Sequence, residues 1–243
     1  MLKKEQQFVL FSDGTEDDMH LCIIEGYFKT KGDVACDHRR RPKRKQMPFE
    51  YAVVLTGGIA TGKSSVMNIL SLYGFRFIDA DEIAHQILDE QYQMIAEMFG
   101  ADLIANNKVD RKALGTIVFA DRAKRKQLEA LLHPLIYDEI ERQAVIQDRL
   151  QEPYIIDIPL FFEGGRYPIE KSLVVYTTEA QQLERLMKRD GYNEEDARNR
   201  IESQMDLEEK RKRATYIIDN SGDLNQLQHE CKRVKEQILG DFK

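Results

Sequence analysis

The sequence predicts an α/β fold in which a parallel five-stranded sheet is flanked by helices. Short runs rich in apolar and β-branched residues alternate with stretches of helical periodicity, and the first run is apolar almost throughout. Such runs are typical of parallel strands that are buried on both faces. Strands that alternate with helices favour a doubly wound sheet. The predicted strands lie at 51–56, 75–80, 154–159, 172–177 and 215–219.

The turn after the first strand carries a phosphate-binding pattern. Residues 57–64 fit the spacing G-x-x-x-x-G-K-S/T, and a helical pattern follows directly. Glycines let successive N–H groups point inward, and the following helix adds the positive end of its dipole. Lys63 can reach the β- and γ-phosphates, and the Ser64 hydroxyl can ligate a bridging Mg²⁺. The predicted nucleotide-binding residues are Gly57, Gly58, Ala60, Thr61, Gly62, Lys63, Ser64 and Ser65.

Three carboxylates are placed near this loop by the strand pattern. Asp79 and Asp81 come at the end of the second strand, and ligands of open α/β sheets bind outside the carboxyl ends of strands. A period of two places both on the same side of that strand. Asp157, in the third strand, is positioned to hold a magnesium-bound water. The alternative is that Asp157 accepts a hydrogen bond from a loop amide at the strand end.

Residues 82–150 show an almost wholly helical pattern between the second and third strands. Asp110 is the predicted N-cap of a helix at 111–119. A longer amphipathic run from Arg122 meets the sequence His133-Pro134. Because proline inside a helix costs about 3 kcal/mol, Pro134 is predicted to start a new helix or to kink one. His133 is then expected at an exposed junction.

The stretch between the fourth and fifth strands is the most charged part of the predicted fold. Basic groups at Arg185 and Arg189 lie beside an apolar helix face, and Asn193 is the predicted cap of a second helix that ends at 210–213. In a phosphoryl-transfer enzyme this is the place for a lid whose arginines close on the transferring phosphate. The alternative is a solvated helical hairpin.

Composition excludes several classes of protein. The 243 residues carry a net charge of −6, which gives no general case for nucleic-acid binding. No apolar run approaches the roughly 18 residues of a membrane span, and the N-terminus lacks a secretory pattern. We therefore expect a cytoplasmic protein without a membrane partner. Its three cysteines, Cys22, Cys36 and Cys231, are expected to be reduced thiols.

Residues 1–46 form a predicted N-terminal extension whose role the sequence does not indicate. Residues 7–11 and 21–28 are apolar enough for short strands or a hairpin. The basic run at 39–45 favours a solvated, mobile linker over a nucleic-acid-binding segment. Met47 is a candidate alternative start, so a chain that begins there is expected to fold and to keep full activity.

From about 51 to 240 the sequence resembles the bacterial dephospho-coenzyme A kinase family. The phosphate loop alone is shared by many families, and the resemblance is carried by the loop together with three further motifs in order. Ala60 departs from the family pattern, because a glycine is common at that position. The motifs are Ile78-Asp79-Ala80-Asp81, Leu132-His133-Pro134-Leu135-Ile136 and Pro159-Leu160-Phe161-Phe162-Glu163. The match also includes Gln182, Arg185, Arg189, Asp190, Arg200, Gln204 and Ile218-Asp219-Asn220.

This resemblance implies transfer of the ATP γ-phosphoryl group to the ribose 3′-hydroxyl of dephospho-CoA, the final step of coenzyme A biosynthesis. It implies Asp81 as the base, Lys63 with the loop amides as the ATP site, and Arg189 as the leading lid arginine. The implied substrate-binding residues are Asp79, Arg111, His133, Glu163 and Arg185.

The resemblance also divides the chain. Residues 47–243 form the kinase-like domain, within which 82–150 are the helical acceptor-binding domain and 181–213 the lid. The core is then made of about 51–81, 151–180 and 214–243.

Other functions are compatible with parts of the sequence. Another P-loop small-molecule or nucleoside monophosphate kinase would share the loop, the strands and the lid. A GTPase would explain the sequence Asn107-Lys108-Val109-Asp110, which spells N-K-x-D. That segment lies in a polar loop close after Lys63 with no D-x-x-G between them, so we interpret it as coincidence. The basic run at 39–45 leaves nucleic-acid binding as a further alternative.

Overall fold

The computed structural model describes residues 48–243, together with the backbone of two short strands near the N-terminus. These two strands, β1 (Phe11–Ser12) and β2 (Met19–His20), pair in antiparallel fashion with Phe11 opposite His20. The rest of the predicted extension lies outside the described residues, as do Cys22, Cys36, the basic run at 39–45 and Met47.

A five-stranded parallel sheet forms the centre of the molecule, which confirms the predicted fold class. Its spatial order is β4-β7-β3-β8-β9. The second strand is shorter than predicted, because Ala80 already begins a helix, and Pro159 lies beyond the end of the third. The strands are β3 (Ala52–Gly57), β4 (Phe77–Asp79), β7 (Tyr154–Asp157), β8 (Lys171–Tyr176) and β9 (Tyr216–Asp219).

Helices cover both faces of this sheet, as the apolar character of the strands requires. Successive side chains of β3 point to opposite faces. Val53 packs in the core under α1 (Lys63–Leu72) and α10 (Leu224–Asp241), whereas Val54 packs in the core under α2 (Ala80–Glu90) and α5 (Arg122–Asp148). The loop between β3 and α1 therefore emerges from a strand that is fixed from both sides.

The segment between β4 and β7 is largely helical and contains one hairpin that the sequence did not predict. The hairpin pairs β5 (Ile104–Ala105) with β6 (Lys108–Val109), and its turn residues Asn106 and Asn107 have φ of 53° and 60°. Asparagine tolerates this left-handed conformation better than most residues. The other helices here are α3 (Tyr92–Phe99), the 3-10 turn Ala101–Leu103 and α4 (Arg111–Ala120).

The N-K-x-D sequence therefore has a local structural explanation. Asn107 lies in the hairpin turn, and the Asp110 carboxylate accepts a hydrogen bond of 2.9 Å from Ala113 N, which confirms the predicted cap of α4.

The alternative in which Pro134 starts a new helix is wrong, because α5 runs as a single helix through this residue, while a kink there stays a prediction. His133 is buried, with 3% of its surface exposed, and does not lie at an exposed junction. Leu132, Ile136 and Ile140 recur every four residues on the same side of α5 and are fully buried. Each such burial contributes roughly 1.5–3 kcal/mol, so their sum exceeds the penalty for the proline.

The charged segment before β9 forms three helices, α7 (Glu179–Asp190), α8 (Glu194–Glu202) and α9 (Leu207–Arg213). Asn193 caps α8 as predicted, with Asn193 Oδ1 accepting from Asp196 N at 2.8 Å. The predicted single helix up to 213 is wrong, because α8 ends at Glu202 and the Asp206 carboxylate caps a separate helix by accepting from Glu209 N. Across residues 48–243, none of the helices has the length and apolar character needed to span a membrane.

Candidate active site

The phosphate loop between β3 and α1 is held from outside through its carbonyl groups. In a trans peptide unit the C=O and the next N–H point in opposite directions. The carbonyls of Ile59 and Thr61, which accept from side chains outside the loop, therefore turn the amides of Ala60 and Gly62 toward the opposite side, where a phosphate would bind. The outside donors are Lys210 Nζ to Gly57 O (2.9 Å), Gln182 Nε2 to Ile59 O (2.7 Å), Arg185 to Ala60 O (3.4 Å) and Asn220 Nδ2 to Thr61 O (2.7 Å), whereas Gly58 O accepts from Thr61 Oγ1 within the loop (2.9 Å).

Two loop residues have positive φ. Ala60, which replaces the glycine common in the resembling family, has φ of 57°, so the backbone accepts its Cβ in a left-handed conformation. Gly62 has φ of 89°, and a Cβ added there would lie 2.1 Å from Asn220 Nδ2. Because Asn220 also holds the Thr61 carbonyl, Gly62 cannot gain a side chain without displacing that contact.

Replacing Gly62 by alanine is expected to weaken ATP binding by about tenfold or more, because the clash displaces Asn220 and with it the loop backbone. Gly74→Ala is the matched control, since Gly74 has φ of 91° and no atom within 4 Å of an added Cβ. Both variants bear the cost of a left-handed alanine, about 1–2 kcal/mol. Calorimetric titration with ATP should separate them, and equal affinities in the two variants would contradict this role for Gly62.

The loop lines an open cleft of about 520 Å³, a size typical of small-molecule sites. Residues 57–64 form one part of its wall, and the three carboxylates predicted near the loop form another. Ser65 follows in α1 and is not among the lining residues of this cleft. The other lining residues are Met67, Asn68, Asp79, Asp81, Glu82, His85, Asp157, Pro159, Leu160 and Gln204.

Asp79 and Asp81 reach this cleft by a different route from the predicted one. Asp79 ends β4, and its Oδ1 caps α2 by accepting from Asp81 N at 2.9 Å and Glu82 N at 3.0 Å. Asp81 lies in the first turn of α2, so the strand period of two does not apply and that reasoning was wrong. The cap fixes the backbone of Asp81 directly. Asp81 also lines a small cavity with the buried Arg166, which sequence reasoning missed.

Asp157 is paired with Lys63 at the bottom of the cleft. Its Oδ2 contacts Lys63 Nζ, whereas its Oδ1 is buried and has no hydrogen-bond partner within residues 48–243. Burial raises the pKa of Asp157 to about 6, against the lowering effect of Lys63, with Asp81 and Asp79 raising it further. Asp157 therefore contacts the loop lysine, and the alternative contact with a loop amide is not observed.

This pKa predicts a specific pH dependence of stability. The folded pKa of about 6 lies above the ordinary value of 3.8, so the contribution of Asp157 is fully present below pH 3.8 and is lost as pH rises through 6. Asp157→Asn cannot ionise and should lack this loss, which amounts to about 2–3 kcal/mol. Urea unfolding of both proteins from pH 4 to 8 measures the difference. Parallel pH curves for wild type and variant would contradict the raised pKa.

The predicted lid arginines occupy different positions. Arg189 forms two hydrogen bonds with Asp190, of 2.8 and 2.9 Å, and 52% of its side chain is exposed. Arg185 instead lies behind the phosphate loop, where it donates to Asn220 O at 2.9 Å and to Thr61 O at 3.3 Å. Contact of either arginine with a transferring phosphate or an acceptor stays a prediction.

The other residues predicted to bind the acceptor substrate lie in different parts of the fold. Arg111 begins α4 with its guanidinium 3.9 Å from Asp89 Oδ2, and His133 is buried in α5, where desolvation lowers its pKa to about 3. Glu163 contacts the predicted lid segment, because its Oε1 accepts from Lys210 Nζ at 2.7 Å and from Met205 N at 3.1 Å. Their contact with an acceptor stays a prediction.

Comparison with known proteins identifies the family of this chain. Residues 51–226 match the family of dephospho-CoA kinases. The chain belongs to this family. The dephospho-CoA kinase of Sulfurimonas denitrificans is 53% identical over 196 residues, which are 81% of this chain and 98% of that protein. The dephospho-CoA kinase of Helicobacter pylori is 43% identical, covering 79% of this chain and 100% of its own length.

Solved structures of similar proteins agree with this family assignment. A dephospho-CoA kinase from Campylobacter jejuni superposes with a TM-score of 0.66 at 38% identity, covering 79% of this chain and 99% of its own. A Thermus thermophilus protein, TT1252, gives a TM-score of 0.66 at 31% identity, covering 76% and 96%. The family match therefore spans the sheet, the helical segment between β4 and β7 and the helices α7 to α9, and it excludes a GTPase as the family of this chain.

Proposed function

We propose that this chain is an ATP-dependent dephospho-CoA kinase, which transfers the γ-phosphoryl group of ATP to the ribose 3′-hydroxyl of dephospho-CoA in the final step of coenzyme A biosynthesis. The observation that carries the proposal is that Asp81 and the phosphate loop line the same cleft. A donor site and a carboxylate able to accept the hydroxyl proton thus face the same open cleft. Family membership identifies the acceptor class.

The donor half of the site consists of the loop amides and Lys63. Loop residues 57–65 and the N-terminus of α1 bind the phosphates of ATP, with the amides of Ala60 and Gly62 turned toward the inside of the loop. Lys63, which contacts Asp157, also reaches the β- and γ-phosphates, where its charge offsets the charge of the transferring group. A loose phosphoryl-transfer transition state needs little more than this positioning and neutralisation.

Asp81 supplies the acceptor half. Its place in the first turn of α2, fixed by the Asp79 cap, holds the carboxylate at the cleft wall across from the loop. There it orients the 3′-hydroxyl and accepts its proton as the oxygen attacks the γ-phosphorus. Positioned proton acceptance contributes typically a factor of about 100 to 10,000 in rate.

A magnesium ion fits the residues at the bottom of the cleft. Ser64 offers a hydroxyl ligand, and the unpartnered Asp157 Oδ1 offers an acceptor for a metal-bound water. When bound, Mg²⁺ neutralises charge on the β- and γ-phosphates. The chain's own contribution is to hold Asp157 at the bottom of the cleft, where its Oδ1 would accept a hydrogen bond from that water.

The remaining parts of the chain are assigned on the same basis. Residues 82–150 hold the acceptor, with Arg111 and His133 as contacts, and Asp79, Glu163 and Arg185 as further substrate-side residues. Residues 181–213 are a lid in which Arg189 exchanges Asp190 for the transferring phosphate. The core, near 51–81, 151–180 and 214–243, holds ATP. A cytoplasmic location and the absence of nucleic-acid and membrane partners stay predictions.

The test is a panel of acceptors. Purified protein with Mg-ATP is expected to convert dephospho-CoA to coenzyme A with stoichiometric ADP, while AMP, shikimate and gluconate are poor acceptors. Chelation of Mg²⁺ should abolish the reaction, and added Mg²⁺ should restore it. The assignment is wrong if dephospho-CoA yields no ATP-dependent product and another member of the panel does.

A further inference from the structure

The backbone of Ile59 is held on both sides by side chains from the lid region. Its N–H donates to Gln204 Oε1 at 2.7 Å, and its C=O accepts from Gln182 Nε2 at 2.7 Å. Gln182 belongs to α7, whereas Gln204 lies between α8 and α9, so the two contacts come from different parts of the lid. Both Ile59 and Gln204 line the cleft that contains Asp81.

A second contact joins the same stretch of the lid to the core. Met205, the residue after Gln204, donates its N–H to Glu163 Oε1 at 3.1 Å. Glu163 also accepts from Lys210 Nζ at 2.7 Å, and Lys210 donates to Gly57 O at 2.9 Å. We call Gln204, Glu163 and Lys210 the lid latch. Its members reach the phosphate loop at both Gly57 and Ile59.

The contacts of the lid latch between α9 and the core are buried. The side chain of Lys210 has no exposed surface, and Glu163 keeps only 14% of its side chain exposed. A buried charge is tolerated only with its partners in place. If α9 moved away from Glu163 and Gly57, the ammonium group of Lys210 would therefore have to become solvated. Because Gln204 lies only six residues before Lys210, the Ile59 contact and the Lys210 contacts anchor the same short stretch of the lid.

We propose that the lid latch seats the lid on the phosphate loop and that Gln204 is a positioning residue for phosphoryl transfer. Gln204 accepts the hydrogen bond of the Ile59 amide and thereby fixes the conformation of the loop. This part of the loop lines the same cleft as Asp81. The inference deepens the proposed function, on which its catalytic part rests. Gln204 acts through Ile59 and through lid placement, not by contact with the reacting atoms.

Two substitutions at Gln204 separate this role from a merely structural one. Gln204→Met keeps the length of the side chain but accepts no hydrogen bond, so Ile59 N–H should exchange with solvent about tenfold faster or more, and kcat should fall about tenfold. ADP affinity should change less than about twofold, because Arg185 and Asn220 still hold the carbonyls of Ala60 and Thr61. Gln204→Glu keeps the acceptor but adds a charge at the cleft, so Ile59 should stay protected while ATP affinity falls by about tenfold or more.

Amide exchange at Ile59, calorimetry with ADP and with a non-hydrolysable ATP analogue, and steady-state kinetics give these readouts. Glu202→Gln is the control, because Glu202 is an exposed residue at the end of α8, two positions from Gln204. It should match wild type in all three. Unchanged exchange at Ile59 together with unchanged kcat in Gln204→Met would overturn the proposal, as would loss of Ile59 protection in Gln204→Glu.

These measurements can refute the lid latch and the proposed function separately. The exchange and nucleotide-binding experiments use no acceptor, so they test the latch even if dephospho-CoA is not the substrate. Conversely, a wild-type protein that forms no coenzyme A refutes the proposed function and leaves the exchange result at Ile59 standing. If Gln204→Met fails to fold, Gln204→Glu tests the proposal by itself. Slow amide exchange at Ile59 together with weakened ATP binding in that variant would support the proposal, and fast exchange would overturn it.

Discussion

Replacing Asp81 by asparagine is expected to lower kcat for dephospho-CoA by about a hundredfold or more while ATP affinity stays the same. The amide preserves the shape of the side chain, and the backbone remains held by the Asp79 cap, so orientation at the cleft wall is retained. What is lost is the ability to accept the proton of the attacking hydroxyl. Initial rates at saturating ATP, with ATP affinity from calorimetry, give both quantities.

Glu90→Gln is a suitable control for this substitution, because Glu90 is the exposed last residue of the same helix, α2. It removes one negative charge from α2 without touching the cleft. Wild-type turnover in Asp81→Asn would remove Asp81 from the mechanism and leave the carboxylates Asp79 and Glu82, which also line the cleft, as candidates.

Replacing Lys63 by methionine is expected to reduce kcat/KM for ATP by about a hundredfold or more, because the transferring phosphate loses its nearest fixed cation. The substitution also removes the charge that lowers the pKa of Asp157, so that carboxyl should take up its proton at a higher pH than in wild type. Kinetics at varied ATP and a carbon NMR titration of the Asp157 carboxyl measure the two effects.

The two consequences of Lys63→Met can be separated. In a protein that carries both Lys63→Met and Asp157→Asn, the buried carboxylate is gone and only the phosphate contact is missing. Activity should remain at the low level of Lys63→Met in this double variant. Recovery of activity in the double variant would show that Lys63 serves mainly to neutralise Asp157.

The sheet and the phosphate loop could be predicted because their signals are local. The apolar run before Gly57, the spacing to Lys63 and the helical pattern after it are contained in about 20 consecutive residues. The Asp110 and Asn193 caps follow from the same kind of short-range rule.

Errors arose where distant packing decides the structure. Pro134 lies within a continuous α5 because Leu132, Ile136 and Ile140 are buried against other elements, which a helix-breaking rule cannot weigh. Asp81 was placed near the loop for a wrong reason, because β4 is only three residues long and a helix follows at once.

The support of the phosphate loop was the part of the site least accessible from sequence. Gln182, Gln204 and Lys210 contact the loop across 123 to 153 residues of chain. Lys210 stands in a run of four basic residues, which resembles a solvated helix end, yet it is fully buried. The family resemblance did include Gln182 and Gln204, but only the structure shows that they bind the backbone of Ile59.

The position of the transferred phosphate tests the central claim most directly. Product formed from dephospho-CoA and Mg-ATP is to be examined by phosphorus NMR, which distinguishes a ribose 3′-phosphate monoester from any other phosphorylated position. We expect one new monoester signal, coupled to the ribose 3′ proton, in a product identical to coenzyme A. A phosphate elsewhere on the acceptor, or ATP consumption without a phosphorylated acceptor, would contradict the assignment.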